Sequence, residues 1–176
     1  FKTATADVSG YPKCGYDSPG GDNARLRSAQ GYETNPSMEA IYMLSMLSMG
    51  KADLNDSTIK SMSRVCVENA YLPAWDHFKI DFYYWYYASL ALYQVGGPIW
   101  SNWEKALSKT LLDNQRGWTT TDKQANHTSK EALDEHGSWD PVDAWGSAGG
   151  RLYSTALGSL MLETNYRYQR IADNKK

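Results

Sequence analysis

The stretch from Asp81 to Gly97, DFYYWYYASLALYQVGG, constrains this chain more than any other. Phe82 to Tyr87 are six aromatic residues in a row, and no Lys, Arg, Pro or Gly interrupts the run before Gly96. Read as a helix, it is apolar or aromatic on every face. Such a helix has to be surrounded by other helices or line a cavity, because no face of it is suited to water. The expected fold class is all-α, organised around this segment.

Two further stretches share its texture: SMEAIYMLSMLSMG, from Ser37, and GGRLYSTALGSLMLE, from Gly149. The first is expected to be a helix over 36–49, with Asn35 as its N-cap, Pro36 at the first helical position and Gly50 as its C-terminal cap. The second is expected to open at Gly149-Gly150 and run to about Arg167. Its small residues Ser154, Thr155, Gly158 and Ser159 would let a neighbour approach closely. Each of the first two apolar helices is followed by a one-sided one. Residues 57–69 carry Ile59, Met62, Val65 and Cys66 on one stripe, and 98–114 carry Ile99, Trp100, Trp103, Leu107 and Leu111. Repeated helical hairpins with a buried inner helix and a half-exposed outer helix predict two layers, and closing such hairpins gives an α/α toroid. Three inner helices are too few to close one. The chain is therefore read as one domain over 1–176 forming the C-terminal part of a toroid. It has a loop-rich lead-in (1–35, with a short helical turn at about Asn23 to Gln30), two hairpins (36–114), a polar insertion (115–148), the last inner helix (149–168) and a polar tail that frays.

Composition narrows the partners. Of 176 residues, 41% are hydrophobic and 22% charged, which excludes disorder as the default, and the net charge of -2 with no basic run argues against nucleic acid. No apolar run reaches the roughly 18 to 20 residues of a membrane span. The 13 Tyr and seven Trp against three Phe are aromatics with a polar tip, suited to a core that meets water or a ligand. Cys14 and Cys66 permit one disulfide without requiring it, and two free thiols are the plainer reading. The beginning at Phe1 reads as a mature form or a fragment of a longer protein. Location stays open, tilted toward outside the cytoplasm. Asn55-Asp56-Ser57 and Asn126-His127-Thr128 match a glycosylation pattern that is common by chance.

Residues 80–115, IDFYYWYYASLALYQVGGPIWSNWEKALSKTLLDNQ, then GSWDP and GGRLYSTALGSLMLETNYRY, resemble the bacterial prenyltransferase/squalene-oxidase repeat proteins, relatives of the terpenoid-cyclase and protein-prenyltransferase toroids. The resemblance covers about residues 36–168. Gln115 with Gly137, Ser138 and Trp139 looks like a stretched form of the family's Gln-to-Gly-x-Trp motif, which ties the end of an outer helix to the start of the next inner one. The insertion between its halves argues against that tie forming in the usual way. The resemblance implies a toroid of several hairpins but does not bring its chemistry. There is no Asp-x-Asp-Asp for alkene protonation. His77, His127, His136 and the two cysteines lack zinc-ligand spacing. Cys14-Gly15 continues as Tyr16-Asp17, not as the thioester motif of the macroglobulins. No catalytic residue, metal or cofactor is expected.

The candidate ligand-binding residues are Asp81, Tyr83, Tyr84, Trp85, Tyr87, Trp139, Trp145, Arg151 and Tyr153. Tyr83, Tyr84, Trp85, Tyr86 and Tyr87 either hold an apolar or cationic guest on their ring faces or pack as core. Asp81 binds a polar headgroup or simply complements its helix dipole. Arg151, at odds with that dipole, calls for a carboxylate such as Asp140 or Asp143. Trp118, Trp139 and Trp145 make a sugar-stacking platform or pin the insertion down. Asp134, Glu135, Asp140 and Asp143 are acids in one loop with a weak claim to acid–base work. The expected function is a non-catalytic binding or assembly module. A partner protein or a missing N-terminal half would cover the open inner layer, and an apolar small ligand is possible. The alternative is an enzyme acting on an isoprenoid or glycan through residues outside this segment.

Overall fold

The computed structural model describes residues 4–8, 10–21, 34–117 and 135–171. The expected helical turn at Asn23 to Gln30, together with Trp118, Asn126, His127 and Asp134, lies outside them. The elements in chain order are β1 (Thr5–Val8), β2 (Tyr11–Cys14), α1 (Ser37–Ser48), α2 (Ser57–Cys66), α3 (Phe82–Val95), α4 (Gly97–Asp113), α5 (Gly146–Leu162) and α6 (Thr164–Arg167). The protein is mostly helical, and α3 is its hub. Helices α1, α4 and α5 all pack on α3, while α2 packs on α1 and more lightly on α3.

Local chemistry sets the ends of α3. Asp81 stands in extended backbone and its Oδ1 accepts the Tyr84 N–H at 3.0 Å, capping the first turn. Gly96 and Gly97 both take left-handed φ, 72° and 58°, and turn the chain straight into α4, where Pro98 occupies the first turn. Phe82, Tyr84, Trp85, Ala88, Ala91 and Leu92 are buried, each large side chain contributing about 1.5–3 kcal/mol. The polar tips of two buried aromatics are satisfied inside the core. Tyr84 donates to the Cys66 carbonyl at 3.2 Å, and the Trp103 indole donates to Ser89 Oγ at 3.0 Å. The two helices expected to be one-sided, α2 and α4, are so. Asp56 caps α2, which buries Ile59, Met62 and Cys66, with Ser63 taking the place expected for half-buried Val65. α4 buries Trp100, Trp103, Leu107 and Leu111.

Several expectations need correction. The lead-in is not all loop: β1 and β2 pair antiparallel, Thr5 opposite Cys14 and Val8 opposite Tyr11, with Gly10 at φ 88° donating to Asp7 Oδ1 in the turn. This sheet is small, and the chain remains mostly helical, in keeping with the expected class. Short β-prone runs on either side of a glycine turn made this hairpin, and the density of Gly and Pro in the lead-in hid it. α1 is not apolar all round. Glu39 is 4% exposed, and its Oε1 accepts the Cys14 N–H of β2 at 3.1 Å. α5 is broken by a kink at Gly150 (φ 64°), where the last helix was expected to open, and a short helical stretch from Gly146 precedes the kink. It is not a fully buried helix: Ser154, Gly158 and Met161 are buried, but Leu152 is 82% exposed. The polar tail is strapped down as far as Ile171. Gln94 donates to the Gln169 carbonyl at 3.2 Å and accepts the Ile171 N–H at 2.7 Å, while Tyr93 donates to the Tyr168 carbonyl at 2.9 Å. Both cysteines are free and buried.

Candidate functional site

The N-terminal ends of α1, α3 and α5 are tied together at one face. Asn35, just before α1, donates from Nδ2 to Asp81 Oδ2 at 2.7 Å and accepts the Ser37 N–H at 3.2 Å. Asp143, three residues before α5, accepts the Phe82 N–H at 3.2 Å. Asp81 and Asp143, both buried, thus meet the exposed N–H groups and positive dipole end of α3, which stabilises carboxylates there.

Above this junction lies an open cleft of about 440 Å³, lined by Tyr16, Tyr83, Trp145, Ala148, Gly149 and Tyr153. Four of these six are aromatic. Tyr83 and Trp145 stand 6.0 Å apart and tilted by 48°, and Tyr83 meets Tyr87 edge-on at 4.8 Å. The Tyr153 hydroxyl and the Trp145 indole N–H are shielded from solvent, and neither has a hydrogen-bond partner among the described residues. Burial first, then the charges of Asp143 and Asp81, pushes the Tyr153 phenol well above its usual value, so it stays protonated. Tyr83 is raised as well, by burial and then by Tyr87 and Asp81.

The side of this face nearest the start of α5 is held by ions. Arg116 pairs with Asp140 through both Nε and Nη2. Arg151 reaches Asp140 at 2.8 Å, Glu135 at 3.1 Å and Ser138 Oγ at 2.9 Å. Burial alone would raise Asp140, but the hydrogen bonds and charges of Arg116 and Arg151 outweigh it and hold its carboxyl below the usual range. Gln115 and the Gly137-Ser138-Trp139 segment meet across the insertion. Gln115 Nε2 donates to the Gly137 carbonyl at 2.9 Å, and the buried Trp139 donates from its indole to the Leu111 carbonyl at 2.8 Å. Gly158 of α5 lies against the Trp139 ring. A long insertion lengthens the path between two points without preventing their meeting.

A second, polar cavity of about 190 Å³ opens between β2 and α1, with Lys13, Cys14, Asn35, Glu39 and Tyr71 among its walls. Burial raises Glu39, partly offset by the backbone N–H groups of Glu39 and Cys14 and by Lys13. It also pushes the Cys14 thiol up to about 11, with Glu39 adding to the shift. Neither thiol is poised as a nucleophile.

Of the sequence candidates, Tyr83, Trp145 and Tyr153 are brought together in the cleft, and Asp81 lies buried below it. Tyr84 and Trp85 belong to the core, and Trp139 pins the insertion to α4 and α5. Tyr87 stands behind Tyr83, and Arg151 is engaged by carboxylates. Sequence reasoning missed Tyr16, whose only signal was an aromatic in a glycine-rich segment, and Glu39, whose signal was a single acid in an otherwise apolar helix. Among the described residues no cluster of three or more His, Cys, Asp or Glu is placed to hold a metal, and no helix is long and apolar enough to cross a membrane. Compared with known proteins, the chain matches no family model, no curated protein and no solved structure.

Proposed function

We propose that this chain is a non-catalytic binding module built as part of a prenyltransferase-like α/α toroid, and that its ligand sits in the aromatic cleft at the N-terminal ends of α3 and α5. The observation that carries this reading is the cleft itself. Its volume of about 440 Å³ falls within the about 300–1,000 Å³ typical of small-molecule sites, and four of its six lining residues are aromatic. The toroid part is supported by the two hairpins packed through α3, by the N-terminal ends of α1, α3 and α5 gathered at one face, and by the Gln115 and Trp139 ties. The exposed outer side of α5, with Leu152 82% and Tyr166 of α6 90% exposed, is where a further hairpin or a partner protein would pack.

The test is a ligand-observed NMR screen of the full chain against a chemically mixed library, repeated on Trp145→Ala. Hits that disappear in the variant while its circular dichroism stays unchanged support the reading. A set of hits indifferent to Trp145, or no hits at all, sinks it.

A further inference from the structure

We infer that the C-terminal end of α3 carries a groove for a non-helical peptide segment of the pattern aromatic-x-Arg-aliphatic, and that residues 168–171 of the chain fill it as an internal copy of that ligand. The groove lies at the opposite end of α3 from the aromatic cleft and does not depend on it. The chain leaves α6 at Tyr168 in extended backbone (φ −114°, ψ 141°). From there its main-chain groups are met by side chains of α3. Tyr93 Oη donates to the Tyr168 carbonyl at 2.9 Å. Gln94 uses both ends of its carboxamide: Nε2 donates to the Gln169 carbonyl at 3.2 Å, and Oε1 accepts the Ile171 N–H at 2.7 Å. A carbonyl and the N–H two residues further on are the pair of groups that one residue of a neighbouring strand bonds, so Gln94 stands in for such a residue. Bonds of this kind read backbone and supply affinity for any segment that presents it. Gln94 is 8% exposed, so they are shielded from water.

Two side chains of the segment add selectivity. The Arg170 guanidinium lies 5.1 Å from the Tyr93 ring centre and beside Gly96, at the negative end of the α3 dipole, where a cation is favoured. Ile171 packs against the edge of the core. It does not fill its surroundings: a cavity of about 230 Å³ remains beside it, walled by Leu47, Ala52, Leu54 and Gln94 among others. A tail that served only to seal the core would close such a space, because interiors pack to crystal-like density. The room left over suits a site whose occupant exchanges.

The experiment is fluorescence anisotropy with a labelled peptide of residues 164–171. The acceptor is the full chain carrying Arg170→Ala and Ile171→Asp, which frees its own tail and leaves the groove intact. The peptide should bind this variant about tenfold or more tighter than it binds wild type, whose tethered tail competes at high effective concentration. Adding Gln94→Ala to the acceptor, or Arg170→Ala to the peptide, should each weaken binding by about fivefold or more. In wild type, unlabelled peptide at millimolar concentration should shift the Ile171 amide resonance and leave amides in the middle of α3 in place. Absence of binding to the freed-tail variant overturns the inference, and so does binding that ignores both Gln94 and the arginine of the peptide. If circular dichroism shows that this variant does not fold, the wild-type titration decides alone, and an Ile171 resonance that stays in place overturns the inference.

Discussion

Helices α3 and α5 have the same texture in sequence and opposite fates in the structure. Both are runs of apolar, aromatic and small residues with almost no charge. α3 is covered by α1, α4 and α5 and buries large residues around most of its circumference. α5 buries its small residues, Ser154 and Gly158, and turns Leu152 outward. Texture says that a helix tolerates burial, but only neighbours bury it. The largest effect expected from this difference is in stability. Trp85→Ala, in α3, should cost about 3–5 kcal/mol, and Leu152→Ala, in α5, should stay within about 0.5 kcal/mol, as read by urea denaturation. A Leu152 effect as large as that of a core residue would break the comparison, because it would mean that face is covered in solution.

The inner side of α5 sharpens the same point. An added Cβ at Gly158 would come within 2.8 Å of the Trp139 ring, and Trp139 is itself fixed by its bond to the Leu111 carbonyl. Gly158→Val should therefore destabilise by about 1–3 kcal/mol through overpacking, with a matching shift in the urea midpoint. Ala156→Val, on the exposed side of the same helix, should cost only the small helix-propensity difference.

Much of the fold was legible because it rests on local signals. Asp81 at the N-terminus of α3, Gly96-Gly97-Pro98 as a helix-to-helix turn and the one-sided stripes of α2 and α4 all follow from residue type and spacing. What was not legible depended on long-range pairing. The β1–β2 hairpin is held in part by Glu39 accepting the Cys14 N–H from α1, a contact that spacing along the chain cannot show. The cleft was half legible. Tyr83 stood out in the aromatic run, Trp145 in the polar insertion and Tyr153 in the last apolar stretch, but sorting them from Tyr84, Trp85 and Trp139 required knowing how each packs. Arg151 could be given a carboxylate in advance, Asp140 or Asp143, because a cation at a helix N-terminus needs an anion, and the structure selects Asp140.

The C-terminal ends of these helices offer a smaller test. Gln94 makes a two-point contact with the tail, and the Arg170 guanidinium lies 5.1 Å from the Tyr93 ring centre. Gln94→Ala removes two hydrogen bonds worth about 1 kcal/mol each. Most of that loss should appear as local opening. Hydrogen exchange at the Ile171 amide should speed up markedly, while amides in the middle of α3 change little. Equal acceleration at both places would mean that the tail and α3 open as one unit.

The smallest effect belongs to α1, the third helix of this texture, where a buried carboxylate replaces an apolar contact. Burial raises Glu39 above its ordinary 4.5, so between 4.5 and that raised value the folded protein holds a proton that the unfolded chain has released. Stability therefore falls as pH rises through this window, because the native state there binds more protons than the unfolded one. Glu39→Gln keeps an acceptor for the Cys14 N–H and has no proton to lose, so it should lack this slope. Melting temperatures of the two proteins should converge toward pH 4.5 and separate above it, in favour of the variant. Separation in the opposite sense would show that Lys13 and the backbone N–H groups around Glu39 stabilise its charge by more than burial destabilises it.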